Sequence, residues 1–402
     1  MTIRFLHAAD IHLDSPLRGL EADPGAPVEL IRGATRRALG KLVDLALDED
    51  VALLLIAGDI YDGDWPDYGT GLFFAAQMAR LTRAGRRVIV IRGNHDAQNR
   101  ITRTLRLPEG VRVLDHCKPE TVELADLGLA VHGQSFAEQA VKDNLARGYP
   151  PAMAGRLNIG LLHTCFEQAG GVHERYAPCT RADLMDRRYD YWALGHIHAR
   201  QEWRDPWIVF PGNLQGRHIN EPGPKGATLV SVDEGRIVSV ESRIVDDFRW
   251  ARVSADVTGC ETNEQALARV QTALQTALDA TEGRGLAVRV TLAGATALHG
   301  TLAAADLRVD VLNEARQLTP NLWIEGVELR TRPLRPPLED RGDALGLLAR
   351  RIDALVEAPP DDLLGDWPEQ LEKKLPPNTL PDDRKPILAR ARDLLLARLA
   401  EG

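Results

Sequence analysis

Five short apolar runs in this chain each end at residues that can bind a metal ion. The runs have the length and β-branched content of buried strands, and ligands gather at the carboxyl ends of the strands in open α/β sheets. One such segment alone is also typical of a turn with capping residues, but five in succession predict a metal site. The residues concerned are Asp10, His12, Asp59, Asn94, His163, His196 and His198.

These candidate ligands combine carboxylate and amide oxygens with imidazole nitrogens, and they include no thiolate. A mixture of this kind suits Mn, Fe or Zn better than Ca or Cu(I). Side chains at positions i and i+2 of an extended segment point the same way. We therefore expect Asp10 beside His12, and His196 beside His198.

The 402 residues are enough for two or three domains. Alternating strands and helices predict an α/β layered domain over residues 1–245. A strand, a helix opened by Thr262 with Gln265 as a capping box, and further strands and a helix near 304–317 predict a small α+β unit over 246–333. Residues 334–402 begin with a Pro-rich linker and continue with amphipathic helices near 343–357 and 386–400.

The four cysteines show no CxxC pair and no disulfide-framework spacing, which fits a reducing cytoplasm. We expect no signal peptide, no membrane-spanning run and no membrane partner. The net charge of −9 argues against a protein that passively coats nucleic acid. Residues 80–106 nevertheless hold eight arginines and one acid, which predicts either a solvated helix face or a phosphate-binding rim around GNHD.

The order of these motifs resembles the calcineurin-like metallophosphoesterase superfamily. Within it, the chain is similar to the SbcD-type DNA repair nuclease subunits and their YhaO-like branch. The resemblance implies a layered calcineurin-like β-sandwich flanked by helices, a small α+β DNA-capping-like domain and a helical C-terminal tail. It is carried by the segments ADIHLDSPL, GDIYDGDW, GNHDAQN, YAPCT, ALGHIHA and FPGNLQGRHINEPGPKG.

The same resemblance implies two divalent metal ions, Mn²⁺ first, with Fe or Zn as alternatives. One ion would be held by Asp10, His12, Asp59 and His198, and the other by Asp59, Asn94, His163 and His196. Two cations about 3.5–4 Å apart need a shared carboxylate, here Asp59, and clamp both oxygens of an in-line displacement. Metal-bound water has a pKa near neutrality, so that hydroxide is available to attack a phosphodiester.

Two further residues are candidates for proton transfer. His95 stands next to Asn94 and is free to protonate the leaving alkoxide. SbcD-type nucleases usually carry His three residues after the bridging Asp, whereas this chain has Asp62 there. In the related Ser/Thr phosphatases this Asp pairs with the catalytic His, so we expect Asp62 either to orient His95 or merely to cap the following turn. The departure puts in doubt whether details of DNA-end recognition transfer.

Weaker signals indicate substrate contacts. Basic residues near the motifs suit phosphate binding, and the candidates are Arg100, Arg103, Arg106, His173, Arg217 and His218.

The expected function is a dinuclear-metal DNA phosphodiesterase, an exonuclease with endonuclease activity left open. One alternative is a phosphodiesterase for cyclic nucleotides or nucleotide sugars, and another is a non-catalytic scaffold. The resemblance implies DNA and an SMC-like coiled-coil ATPase of the SbcC type as partners, and a homodimer stays open. We expect the tail to dock the ATPase, with folding back onto the catalytic domain as the alternative.

Overall fold

A computed structural model of the chain describes residues 2–15, 27–62, 68–98, 105–166, 176–304, 306–334 and 342–360, together with 388–389, 391–392 and 395. Three of the predicted substrate contacts, Arg100, Arg103 and His173, lie outside the described residues. Most of the predicted linker and of the second tail helix also lies outside them.

Two six-stranded sheets form the first part of the chain. The first sheet has the order β12-β11-β1-β2-β3-β4, and the second has the order β5-β6-β7-β8-β10-β9. The strands of the first sheet are β1 (Ile3–Ala8), β2 (Leu53–Ala57), β3 (Arg87–Ile91), β4 (Val111–Val113), β11 (Gly226–Asp233) and β12 (Arg236–Ile244). Those of the second are β5 (Glu120–Leu124), β6 (Leu129–Gly133), β7 (Leu157–His163), β8 (Tyr191–Gly195), β9 (Gln201–Trp203) and β10 (Trp207–Phe210).

The central strands of both sheets are parallel, and their side chains are buried on both faces. β1 pairs in parallel with β2 and β2 with β3, while β7 pairs in parallel with β8. Strands covered on both sides read as continuous apolar runs, which explains why the sequence shows little alternation there. Side chains from the two sheets, among them Phe5, Leu55, Ile159 and Tyr191, meet in one buried core.

Helices cover the outer face of the first sheet. Buried residues recur every three or four positions along α1 (Val28–Asp48), which gives it one apolar stripe. α2 (Tyr68–Arg83) packs Phe74 and Met78 with Leu39 and Leu42 of α1 in a second core, which lies between the helices and the first sheet. Two one-turn helices, α3 (Asn94–Gln98) and α4 (Arg181–Met185), follow further along the chain. Helices packed on a two-sheet β-sandwich confirm the predicted fold class.

Residues after position 245 form a further three-stranded sheet of order β13-β14-β15. The elements occur in the predicted order, except that α6 and α7 replace a single helix near 304–317. The elements are β13 (Phe248–Asp256), α5 (Asn263–Asp279), β14 (Gly285–Thr296), α6 (His299–Ala304), α7 (Leu307–Leu318), β15 (Leu322–Pro333) and α8 (Ala344–Glu357).

The predicted capping box at the start of α5 is half present. Thr262 Oγ1 accepts the Gln265 N–H at 3.3 Å, but the Gln265 side chain accepts the Glu261 N–H instead of the Thr262 N–H. The chain divides into two compact units, one of Met1–Ala255, Leu267–Leu292 and Asp306–Leu329, and one of Asp256–Ala266, Ala293–Ala305 and Arg330–Gly402. The predicted domain boundaries at 245 and 333 stay predictions. Among the described helices, none has the length and apolarity that crossing a membrane requires.

Candidate metal centre

The predicted ligands come together where the parallel strands end. Backbone hydrogen bonds tie the turns that follow these strands to one another: Asp10 N–H donates to Gly58 O, His12 N–H to Asp59 O, and Thr164 N–H to Gly195 O, each at 3.1 Å. The site therefore lies at the carboxyl ends of neighbouring strands in both sheets, the edge to which the sequence pattern pointed.

Four of the seven candidate ligands have positive backbone φ angles: Asp10 (50°), His12 (45°), Asp59 (50°) and His196 (100°). The expectation that Asp10 and His12, and His196 and His198, lie on extended segments is therefore wrong, because β1 and β8 end before them. Left-handed backbone at a non-glycine residue costs roughly 1–3 kcal/mol and concentrates at functional sites.

One group of ligand atoms is formed by Asp10, His12 and His198. The His198 Nδ1–H donates to Glu221 Oε1 at 2.7 Å, so His198 Nε2 is the ring nitrogen that carries the lone pair. That atom lies 3.1 Å from His12 Nε2. Burial lowers the pKa of His12 to about 3, so its ring is neutral. A proton or a cation must lie between two ring nitrogens that face each other at this distance.

A second group is formed by Asp10, Asp59 and His163. The His163 Nδ1–H donates to Ala57 O at 2.9 Å, so His163 Nε2 faces two oxygen acceptors, Asn94 Oδ1 at 3.0 Å and Asp59 Oδ2 at 3.4 Å. The His196 ring lies beside this group, 5.2 Å from the His163 ring between centroids. His198 thus belongs to the first group, whereas His196 lies beside the second group without belonging to either of the two.

Asp59 lies between the two groups. Its Oδ2 is 3.9 Å from His12 Nε2 and 3.4 Å from His163 Nε2. Asp10 is the carboxylate that the two groups share, whereas Asp59 belongs to the second group, so the bridging role of Asp59 stays a prediction.

Two glycines allow this close approach. Gly58 precedes Asp59 with φ +89°, and a Cβ atom there would lie 2.6 Å from His163 Nδ1. A Cβ atom on Gly195, before His196, would lie 2.0 Å from Ala57 O. Larger residues at either position would push the ligand turns apart.

The charges of the centre fit a cation. Asp10 and Asp59 are 0% and 2% exposed, and they accept the backbone N–H groups of His196 and His95. Burial raises the pKa of Asp10 to about 6. Burial would lower the pKa of His163, but the Asp59 carboxylate outweighs it and raises that pKa to about 9. A site that draws a proton onto a buried imidazole favours positive charge, and this donor set fits divalent metal ions.

His95 and Asp62 are in contact. His95 Nδ1 lies 3.1 Å from Asp62 Oδ1, while the His95 side chain remains 34% exposed. Burial opposes the charged form of His95, yet the hydrogen bond that His95 donates to Asp62 and the charges of Asp59 and Asp62 outweigh burial and raise the pKa of His95. Asp62 also accepts the Ser15 hydroxyl. The Asp62 carboxylate therefore contacts both His95 and Ser15, so its role is not limited to capping the following turn.

Among the predicted substrate contacts that are described, Arg217 is 13% exposed and ion-paired with Asp62 and Glu221. His218 is 52% exposed, with Nε2 3.6 Å from Glu221 Oε1. Arg106 is exposed. These positions leave His218 and Arg106, rather than Arg217, accessible to a substrate.

Three of the described arginines in segment 80–106 pair with acids outside GNHD. Arg80 pairs with Asp44, Arg86 with Asp50, and Arg87 with Asp126. Arg87 begins β3 and Arg92 follows its end, so these residues lie at opposite ends of one strand. Arg87 and Arg92 are close in sequence but distant in space, because a strand advances by about 3.3 Å per residue.

Sequence reasoning missed two buried acids. Glu221 is 6% exposed and holds His198. Asp96 is 1% exposed and accepts the backbone N–H groups of Ile60, Tyr61 and Gly93, which joins the GD and GNHD turns. Both stand inside segments already singled out, and the need of a ligand imidazole for a partner on its second nitrogen was the available signal for Glu221.

Comparison with known proteins identifies two families along the chain. The calcineurin-like phosphoesterase family matches residues 3–200, and the middle domain of metallophosphoesterase YhaO matches residues 250–332. The first match covers every candidate metal ligand.

Three individual proteins also match parts of this chain. The uncharacterized metallophosphoesterase YhaO of Bacillus subtilis (strain 168) is 36% identical over 261 residues, 64% of this chain and 64% of that protein. The DNA double-strand break repair protein Mre11 of Sulfurisphaera tokodaii is 25% identical over 51% of this chain and 55% of that protein. An SbcCD nuclease subunit of Rhodobacter capsulatus is 35% identical over 27% of this chain and 24% of that protein. The chain thus spans less than two thirds of the length of each of these relatives.

Proposed function

Because the chain carries a calcineurin-like phosphoesterase domain followed by a YhaO middle domain, we propose that it is a DNA phosphodiesterase that uses two divalent metal ions. The metallophosphoesterase family implies hydrolase chemistry and a divalent metal centre. DNA as the substrate, Mn²⁺ as the metal and the roles of single residues are the finer parts of the proposal.

The observation that carries the proposal is the position of Asp59. Its carboxylate lies between two groups of lone-pair donors, one containing His12 and the other His163. When bound, two divalent cations would neutralise phosphate charge and make water a stronger acid. The chain holds both groups ready through left-handed turns and backbone hydrogen bonds, so little rearrangement is needed.

His95 supplies the proton in this proposal. Asp62 engages Nδ1 and raises the pKa of the ring, which leaves Nε2 as the nitrogen that can donate to a leaving alkoxide. The exposed third of this side chain gives access from solvent. A positioned acid of this kind contributes roughly 10²–10⁴-fold to the rate.

DNA is favoured as the substrate by the relatives and by the second domain. Two relatives are named as a DNA double-strand break repair protein and a nuclease subunit. The resemblance to SbcD-type nucleases implies a DNA-capping role for residues 250–332, which match the YhaO middle domain. Arg106 and His218 are accessible for phosphate contacts.

We extend the proposal to an ATPase partner that docks on the tail. On α8, Leu347 and Leu348 are 66% and 42% exposed, and they line a cleft of about 610 Å³ with Arg350 and Arg351. An apolar helix face bordered by charge suits a partner helix. Deleting residues 334–402 should leave hydrolysis of a small phosphodiester near the full rate and abolish co-purification with a coiled-coil ATPase. Loss of solubility would make the tail a structural element instead.

The test of the function is hydrolysis of bis-p-nitrophenyl phosphate with Mn²⁺ and with Mg²⁺, followed by end-labelled single- and double-stranded DNA. Activity on the generic ester together with competitive inhibition by DNA supports the proposal. Hydrolysis without competition by DNA would favour a small-molecule phosphodiesterase. No hydrolysis by metal-loaded protein, with DNA binding retained, would favour a scaffold.

A further inference from the structure

A buried ion network links the His198 side of the centre to the His95 side. Glu221 stands at one end and accepts hydrogen bonds from His198 Nδ1 at 2.7 Å, Asn213 Nδ2 at 2.9 Å and the Arg217 backbone N–H at 2.8 Å. Burial opposes its charge, but His198 and Arg217 outweigh burial and hold the pKa of Glu221 well below its usual range. Glu221 is thus a carboxylate whose lone pairs are filled.

Arg217 continues the network. Its Nη2 donates to Glu221 Oε1 at 2.9 Å, and its Nη1 donates to Asp62 Oδ2 at 3.1 Å. The guanidinium is rigid and planar, so contacts in two directions fix the relative position of both carboxylates. A 3.3 Å approach of Arg217 Nη2 to His198 Nδ1 is not a donated bond, because that nitrogen already carries the proton given to Glu221.

Asp62 ends the network. Its Oδ2 accepts both Arg217 and the Ser15 hydroxyl, which leaves Oδ1 turned to His95 Nδ1 at 3.1 Å. Rotation of the Asp62 carboxylate would exchange these partners. Arg217 and Ser15 therefore determine which oxygen meets His95.

Resting on the proposed function, we propose that Glu221 and Arg217 are positioning residues. Glu221 fixes the proton and the orientation of the ligand His198, and Arg217 holds Asp62 so that Asp62 orients His95. Arg217 is accordingly not a substrate contact, contrary to the expectation from sequence. Its small exposed fraction and its two carboxylate partners leave its charge already matched.

The expected effects follow from the kind of contact that is lost. Removing the hydrogen-bond partner of a metal-binding histidine typically lowers metal affinity or activity by roughly 10–100-fold. By about the same factor, Arg217→Gln should lower kcat on a DNA dinucleotide, whose leaving alkoxide must be protonated, with KM nearly constant. Arg217→Lys keeps the charge but not the fork, and it should fall between wild type and Arg217→Gln.

A double-mutant cycle decides whether Arg217 acts through Asp62. If it does, Arg217→Gln should have almost no further effect on kcat in an Asp62→Asn background. An undiminished effect in that background would overturn the positioning role. A rise in KM and weaker DNA binding, with kcat unchanged, would return Arg217 to the substrate contacts.

Arg87→Gln is the control, because it removes an arginine that pairs with an Asp carboxylate, here Asp126, but lies at the amino end of β3. Thermal melting of each variant shows whether it folds. A general loss of stability would lower kcat in both backgrounds. An effect of Arg217→Gln on kcat that disappears in the Asp62→Asn background therefore indicates positioning through Asp62.

Glu221 has a readout that needs no catalysis. Calorimetric titration with Mn²⁺ should show affinity at one site falling about 10–100-fold in Glu221→Ala, and much less in Glu221→Gln, whose amide oxygen still accepts the His198 proton. Unchanged Mn²⁺ binding in Glu221→Ala would overturn the role of Glu221. If wild type hydrolyses no phosphodiester, the proposed function fails, while this titration still decides the role of Glu221.

Discussion

The two ends of strands β2 and β3 carry charge in opposite ways. At the amino ends, arginines meet single carboxylates in solvent, as in Arg87 with Asp126, whose side chains are 40% and 61% exposed. At the carboxyl ends, Asp59 and Asn94 are buried and face histidines rather than arginines or lysines.

The comparison shows which charges serve a function. Exposed pairs add little to stability, and either partner can be solvated alone. Buried carboxylates held on left-handed backbone destabilise the fold until a cation joins them. The carboxyl ends thus bury charge that the amino ends leave in solvent, and the predictions below test this difference from the largest expected effect to the smallest.

The largest effect is expected at Asp59. Asp59→Ala should remove both metal ions and abolish hydrolysis, since each group loses the carboxylate between them. Elemental analysis of gel-filtered, Mn²⁺-loaded protein measures the stoichiometry. Retention of both ions in this variant would contradict the central position of Asp59.

His95→Ala should separate chemistry from binding. The variant should keep both ions and its DNA affinity, yet lose hydrolysis by roughly 10²–10⁴-fold. The matched variant Asp62→Asn should lose less hydrolytic activity than His95→Ala, because the His95 ring remains in place. Metal loss in His95→Ala would instead make His95 a ligand.

Metal removal should destabilise the protein in a pH-dependent way. In the metal-free fold, the pKa of His163 is raised from 6.5 to about 9, so the stability that this proton contributes is present below pH 6.5 and is lost as pH rises through 9. Mn²⁺ takes the place of the proton, and metal at 100 times its Kd adds about 2.7 kcal/mol per site. The difference in Tm between Mn²⁺-loaded and chelated protein should widen from pH 6.5 to pH 9. A difference that narrows would contradict the assignment of His163.

The smallest effect is expected at the amino ends. Arg87→Gln should leave metal content and hydrolysis at wild-type values, because its partner Asp126 is well solvated. A loss of activity comparable to that of the carboxyl-end variants would break the comparison between the two ends.

Much of this site could be predicted from sequence because strand ends are local signals. Apolar runs followed by Asp, Asn or His locate Asp59, Asn94 and His163 without knowledge of the sheet order. The left-handed turns at Asp10 and His196 could not be predicted so, because tertiary hydrogen bonds impose them against local preference.

Hydrogen-bond partners that lie far apart in sequence could not be predicted either. Arg217 lies 155 positions from Asp62, and no periodic pattern relates the two. The described arginines of segment 80–106 show the converse, since Arg87 and Arg92 are close in sequence but lie at opposite ends of β3. Patterns along the chain therefore locate the candidate ligands better than the residues that hold those ligands in place.

The central claim is that the carboxyl ends of β1, β2, β3, β7 and β8 build a two-metal centre. Anomalous diffraction from crystals soaked in Mn²⁺ tests it most directly. We predict two peaks about 3.5–4 Å apart, one beside His12 and His198, the other beside Asn94 and His163, with Asp59 between them. A single peak, or peaks away from these residues, would contradict the account.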